Sequence, residues 1–109
     1  MNANALCHVQ DVPDGGALSL HAEFDGQVHA LIVLRRGEDV RAFHNVCPHA
    51  GRRLDWAPGQ FLLSAGDLVC AAHGATFRIP DGVCVAGPCR GDRLREVAVR
   101  IAEGCVVLV

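Results

Sequence analysis

Two short segments of this 109-residue chain each place a soft thiol beside an imidazole: Cys47-Pro48-His49 and Cys70-Ala71-Ala72-His73. A cysteine two or three residues before a histidine lets both side chains point at one small object from a tight loop, and Gly51 and Gly74 permit close backbone approach. Four such donors in two loops make a metal site. Any one of them alone would read as a core cysteine or a structural histidine. Two pairs in the same Cys-then-His order, each followed closely by Gly, are hard to produce by packing alone. Zinc accepts two thiolates and two imidazoles in a tetrahedron, and the four residues by themselves leave it open. Zinc modules of this kind use Cys-x-x-Cys knuckles, however, whereas both pairs here are mixed.

The scaffold that must hold these loops is bounded by composition. Half the residues are hydrophobic and a fifth are charged, the signature of a folded globular domain rather than a disordered or collagen-like chain. The length fits one domain, 1–109. A net charge of −2 offers no basic surface for nucleic acid. All ten basic residues are Arg, which reads mainly as a codon-composition effect. The longest apolar run, Ala30 to Leu34, stops at Arg35-Arg36, far short of a membrane span. The opening Met1-Asn2-Ala3-Asn4 lacks the basic and apolar regions of a secretory signal. A cytoplasmic location with no membrane association is therefore expected, where thiols stay reduced and cysteines serve as ligands more often than as disulfides.

Gly, Pro and Asp punctuate the chain at short intervals without a sustained helical period, so the reading is all-β. Ala5 to Gln10 reads as a first strand, closed by Pro13-Asp14-Gly15-Gly16, with Leu18 to Phe24 next. Asp25-Gly26 is a hairpin signal. Val28, Ala30, Ile32 and Leu34 then share one face of a strand buried on at least one side. Val40 to Asn45 follows a Gly37-Glu38-Asp39 turn. A terminal hairpin is expected from Val97, Val99 and Ile101, through Ala102-Glu103-Gly104, to Cys105–Val109. Between these β-rich ends, residues 46–92 are full of Gly, Pro, Cys and His and read as loops inserted on the scaffold.

Cys47-Pro48-His49-Ala50-Gly51 with Leu54, then Cys70-Ala71-Ala72-His73-Gly74 with Phe77, Asp81-Gly82 and Gly87-Pro88, resembles the Rieske [2Fe-2S] family, in which two His replace two Cys on one iron. The resemblance runs from about Cys7 to Val109. It implies an all-β Rieske fold of stacked antiparallel sheets, with a cluster-binding subdomain made of loops and one [2Fe-2S] cluster per chain. It implies further that Cys47 and Cys70 bind the inner iron, that His49 and His73 bind the outer one through Nδ1, and that a third loop, at Gly87-Pro88, covers the cluster. Two sulfides and two thiolates would neutralise two ferric ions, so reduction adds one electron's charge.

The departures from the family carry information. The high-potential members have an extra Cys in each ligand loop, joined in a disulfide; here those regions read Ala50-Gly51-Arg52 and Ala71-Ala72. Those members also place a Ser directly after the second His-Gly and a Tyr two residues on, whose hydroxyls donate to cluster sulfurs. This chain has Ala75 and Phe77, and no Tyr at all. Cys84 and Cys89 flank the third loop as two small buried residues or as a disulfide, and a reducing compartment favours the thiols. Cys7 and Cys105 read as core. His8, His21, His29 and His44 read as surface or satisfied structural residues. Arg52 and Arg53 make either a solvated loop or a rim that steers an acidic partner, and Trp56 reads as packing beside the loops.

What the resemblance implies is a monomeric soluble ferredoxin of the low-potential class. Such a protein is a non-enzymatic component of a multicomponent oxygenase system, docking transiently with a flavoprotein reductase and a terminal oxygenase. Two other readings stand beside it: a small Rieske-like subunit of a larger oxidoreductase such as assimilatory nitrite reductase, and a zinc-stabilised binding module without redox function. With fewer hydrogen bonds to the sulfurs the added electron is less stabilised, so a redox titration should place the midpoint near the low end of the Rieske range, about −150 mV rather than about +300 mV. A value above zero would contradict this.

Overall fold

The structure, a computed structural model, describes residues 5–46, 54, 61–64, 67–70, 75–79, 81–87 and 90–109. Among these the chain forms three antiparallel sheets. The first joins β1 (Ala5–His8), β11 (Cys105–Leu108) and β10 (Val99–Ala102), in that order. The second holds β2 (Ala17–Phe24), β3 (Gln27–Arg36), β4 (Asp39–His44) and β9 (Glu96–Val97). The third is built from β5 (Leu62–Ser64), β6 (Asp67–Val69), β7 (Thr76–Phe77) and β8 (Cys84–Ala86).

The turn chemistry fixes two hairpins. Asp25 and Gly26 both have positive φ, 55° and 74°, and close β2 onto β3 so that Phe24 opposes Gln27. Two successive left-handed residues match the twist of the flanking strands, the geometry for which Asp-Gly is suited. Glu103 and Gly104, at 52° and 76°, do the same between β10 and β11.

β3 organises the interior. Leu31, Ile32, Val33 and Leu34 are all 0–5% exposed, so both faces of this strand are covered. Successive side chains point to opposite faces. Ile32 and Leu34 accordingly join Phe43, Leu54, Leu68, Cys70, Ala75, Phe77, Cys84 and Leu94 in one apolar cluster. Leu31 and Val33 join Cys7, Val12, Ala42, Val97 and Val106 in another.

The structure also adjusts several expected boundaries. The first strand ends at His8 because Val9–Asp11 winds into a 3-10 turn, with the His8 N–H donating to Asp11 Oδ2 at 3.1 Å. Val97 pairs with Ala42 of β4 and belongs to the second sheet, leaving the terminal hairpin to begin at Val99. Within 46–92 the third sheet carries the loops, its strands too short at two or three residues to show a period in sequence.

The turn between β7 and β8 is tightly specified. Asp81 Oδ1 accepts from the Val83 N–H at 3.2 Å and from Arg78 Nε at 3.3 Å, and the Arg78 guanidinium holds the Asp81 carboxyl down at about 2. The next residue, Gly82, has φ +72°, and a Cβ there would stand 2.8 Å from Phe43 Cε1 and 3.3 Å from Leu94 Cβ. Gly82→Ala should therefore destabilise the fold by about 1–3 kcal/mol through strain and overpacking, read as a lowered denaturation midpoint. An unchanged midpoint would mean that Phe43 yields without cost.

Candidate metal centre

Cys70, the first member of the second Cys–His pair, directly follows β6 in the third sheet. β6 and β7 pair Leu68 with Phe77 and Val69 with Thr76, and the next rung is Cys70 facing Ala75. The Cys70 N–H donates to the Ala75 carbonyl at 2.7 Å, and both residues are fully buried. Cys70 thus occupies the base of the loop, held by a backbone hydrogen bond and by the apolar cluster it shares with Leu54, Leu68 and Phe77. His73 belongs to the stretch between Cys70 and Ala75 and lies outside the described residues.

Cys47 and His49 also lie outside them, but both ends of their loop are described. β4 runs out through Asn45, whose N–H donates to the Ala30 carbonyl on β3 at 2.9 Å. The Asn45 side chain is fully buried and its Oδ1 accepts from the Leu54 N–H at 2.7 Å. Leu54, at the far end of that loop, packs in the same apolar cluster as Cys70 and Ala75. The exit of the first loop and the base of the second therefore meet in one patch of core. No group of three His, Cys, Asp or Glu converges among the described residues, of which Cys70 is the one candidate ligand.

The donor chemistry of the sequence fits a [2Fe-2S] centre: two Cys and two His in two segments whose described ends, Leu54 and the Cys70–Ala75 rung, meet in one apolar cluster. Phe77 is fully buried too, and neither Ala75 nor Phe77 carries a side-chain hydrogen-bond donor. In the third loop Gly87 takes φ +96°, while Pro88 and Cys89 lie outside the described residues. Cys84 is buried with Sγ 3.1 Å from the Ala86 carbonyl, and its backbone meets Gly91 and Asp92. Arg52, Arg53 and Trp56 also lie outside. A cleft of about 280 Å³ at the other end of β6 gathers Arg35, Arg36, Arg41 and Arg78 with Asp39 and Asp67, a grouping that sequence spacing does not show.

The remaining cysteines and histidines divide by environment. Cys7 and Cys105 are buried in the first sheet, as expected for core. Burial first, then Asp11 and Cys105, push the Cys7 thiol up to about 11, which keeps it protonated and a poor ligand. His21 and His8 are exposed, His8 with Nδ1 3.6 Å from Cys105 Sγ. His29 departs from the expectation of a satisfied histidine. Its Nε2 is buried with no hydrogen-bond partner among the described residues, because the ring stacks on Phe24 at 4.1 Å and meets His44 edge-on at 5.2 Å.

The chain matches a family model described as Rieske [2Fe-2S] domain over residues 2–101. It is 34% identical over 80 residues to the carnitine monooxygenase oxygenase subunit of Escherichia coli (strain K12), covering 66% of this chain and 21% of that protein. It therefore spans about a fifth of the length of that curated relative. Among solved structures it overlays the ferredoxin of carbazole 1,9a-dioxygenase from Nocardioides aromaticivorans IC177 with a TM-score of 0.76 and 22% identity, covering 96% of this chain and 94% of that one. The terminal oxygenase of carbazole 1,9a-dioxygenase from Novosphingobium sp. KA1 overlays with a TM-score of 0.80 and 20% identity, covering 95% of this chain and 28% of that one. At these identities the overlays establish the fold. Among the described residues no helix is long and apolar enough to cross a membrane.

His44, one residue before Asn45, gives the root of the first loop a pH dependence. Burial first, then Arg95 and His29, lower its pKa from the ordinary 6.5. The folded state thus prefers the neutral ring, and the unfolded chain takes up the proton first. Stability is full above about pH 6.5 and is lost as pH falls toward the lowered folded value. Melting curves between pH 7.5 and 5.5 should show the midpoint falling with pH, and His44→Gln should flatten that dependence. Equal slopes in both proteins would assign it to other groups.

Proposed function

This chain belongs to the Rieske [2Fe-2S] domain family, and from that membership we propose that it is a one-electron carrier, taking electrons from a flavoprotein reductase and passing them to a terminal oxygenase. The cofactor of the family is a [2Fe-2S] cluster, which when bound supplies reversible uptake of one electron. In this reading residues 1–109 act as one domain, Cys47 and Cys70 hold the inner iron, and His49 and His73 hold the outer one. The chain itself carries out no substrate chemistry, and docking is transient, because a carrier must release after each transfer. Arg52 and Arg53 would serve as a rim toward an acidic partner surface.

The observation that carries the proposal is the conjunction of the family match with a fold that overlays an oxygenase-system ferredoxin nearly end to end. What this chain's residues contribute is placement. The Cys70–Ala75 backbone hydrogen bond sets the base of one ligand loop, and the apolar cluster around Ile32 and Phe43 keeps water from it. A second reading, the electron-entry unit of an oxygenase subunit, is favoured by the curated relative being such a subunit. A large partner co-purifying stably would select it.

Purified protein should be brown, contain iron without stoichiometric zinc, and after dithionite give a rhombic EPR signal with average g below that of all-cysteine ferredoxins. Cys47→Ser and Cys70→Ser should each remove the signal. Restoring a hydroxyl donor with Ala75→Ser or Phe77→Tyr should raise the midpoint potential. A colourless protein with one zinc per chain would overturn electron transfer and leave a structural metal module.

A further inference from the structure

Asn45 is the sole fully buried polar side chain among the described residues. Burying a side-chain amide without partners costs about 1–3 kcal/mol, and an apolar side chain of similar size would fill the space without that penalty. A buried Asn at the end of an otherwise apolar strand therefore has work that shape alone does not explain.

Its hydrogen bonds say what the work is. The Asn45 N–H continues the β3–β4 ladder to Ala30, so its backbone is part of the rigid second sheet. Its Oδ1 reaches across nine positions to the Leu54 N–H at 2.7 Å, in a fully buried setting. The Asn45 side chain holds the backbone of Leu54, whose own side chain lies in the apolar cluster with Cys70 and Ala75. The tie thus joins three things: the end of β4, the exit of the segment that contains Cys47 and His49, and the core against which the Cys70–Ala75 rung rests.

We infer that Asn45 is a positioning residue that sets the first ligand loop in register with the second, before any metal is bound. The inference rests on the proposed ligand assignment. Asn45 touches neither iron nor sulfide in this account; it acts through the Leu54 backbone. An Asn to apolar change would leave the Leu54 N–H buried and unpaired, and the segment 46–53 would lose the one described hydrogen bond that connects its two ends.

The test uses hydrogen exchange at the Leu54 amide, read by fragmentation mass spectrometry, in the full chain with its cluster and after chelator stripping, together with the Asn45→Ala and Asn45→Asp variants. The Leu54 amide should stay protected in both wild-type forms. Asn45→Ala should speed its exchange about tenfold or more, the equivalent of one buried hydrogen bond. The same variant should lose its visible spectrum several-fold faster under chelator and shift its EPR g values. Asn45→Asp, which keeps an acceptor oxygen, should restore amide protection and cluster retention.

Protection that disappears from the wild type on stripping would show that the metal closes the loop, and would overturn the inference even if Asn45→Ala does not fold. So would an Asn45→Ala protein with a lower melting point but unchanged g values and cluster lifetime, since that is a structural role alone. A wild-type protein with no [2Fe-2S] spectrum would sink the ligand assignment and the positioning role together. Leu54 exchange would still report the tie, so the two failures remain separate.

Discussion

The structure depends on covering both faces of β3. Leu31 and Val33 face the first sheet and Val12, while Ile32 and Leu34 face the third sheet and the ends of the loops, and none of the four is more than 5% exposed. Each fully buried aliphatic side chain of this size contributes about 1.5–3 kcal/mol, against about 1 kcal/mol net for an ordinary hydrogen bond. Packing against β3 therefore decides which elements lie on it, and hydrogen bonds decide their register. The third sheet, with strands of two and three residues, has too few ladder bonds to stand by itself and is held by Leu68, Phe77 and Cys84 in the cluster on that face.

The candidate centre follows from the same division of labour. Leu54, Cys70 and Ala75 are brought together by the apolar cluster, and two short hydrogen bonds, Leu54 to Asn45 and Cys70 to Ala75, fix where each loop leaves it. The chain between each pair of anchors is short, so the entropy of closing it is small.

Much of this was legible in sequence where one residue type has one physical use. Asp25-Gly26 and Glu103-Gly104 announce hairpins because few residues accept positive φ, and the structure has both. The mixed Cys–His pairs announce a metal by their chemistry and the family by their spacing, and the family match agrees. Less was legible where the signal is shared. Alternation from Val28 marks a strand covered on at least one side but does not say whether a second layer covers the other. Val97 continues the alternation of Val99 and Ile101 yet pairs with Ala42, because Ala98 sits where the chain passes between sheets. Asn45 reads as the last residue of a strand, and only the return of Leu54 gives it meaning.

Burial of the second loop's base also couples stability to redox energy in the proposed carrier. The positions where hydroxyl donors would stabilise an added electron hold Ala75 and Phe77, and both are fully buried parts of the cluster on β3. An apolar wall raises the cost of placing negative charge nearby, since little in it can reorient toward that charge. In that reading, the packing that anchors the loop and the absence of donors, which would lower the potential, come from the same side chains. A hydroxyl introduced there to raise the potential must be accommodated in a closely packed core, whereas a change made for stability alone alters the surroundings of the electron. In such a domain, potential and fold are not adjusted separately.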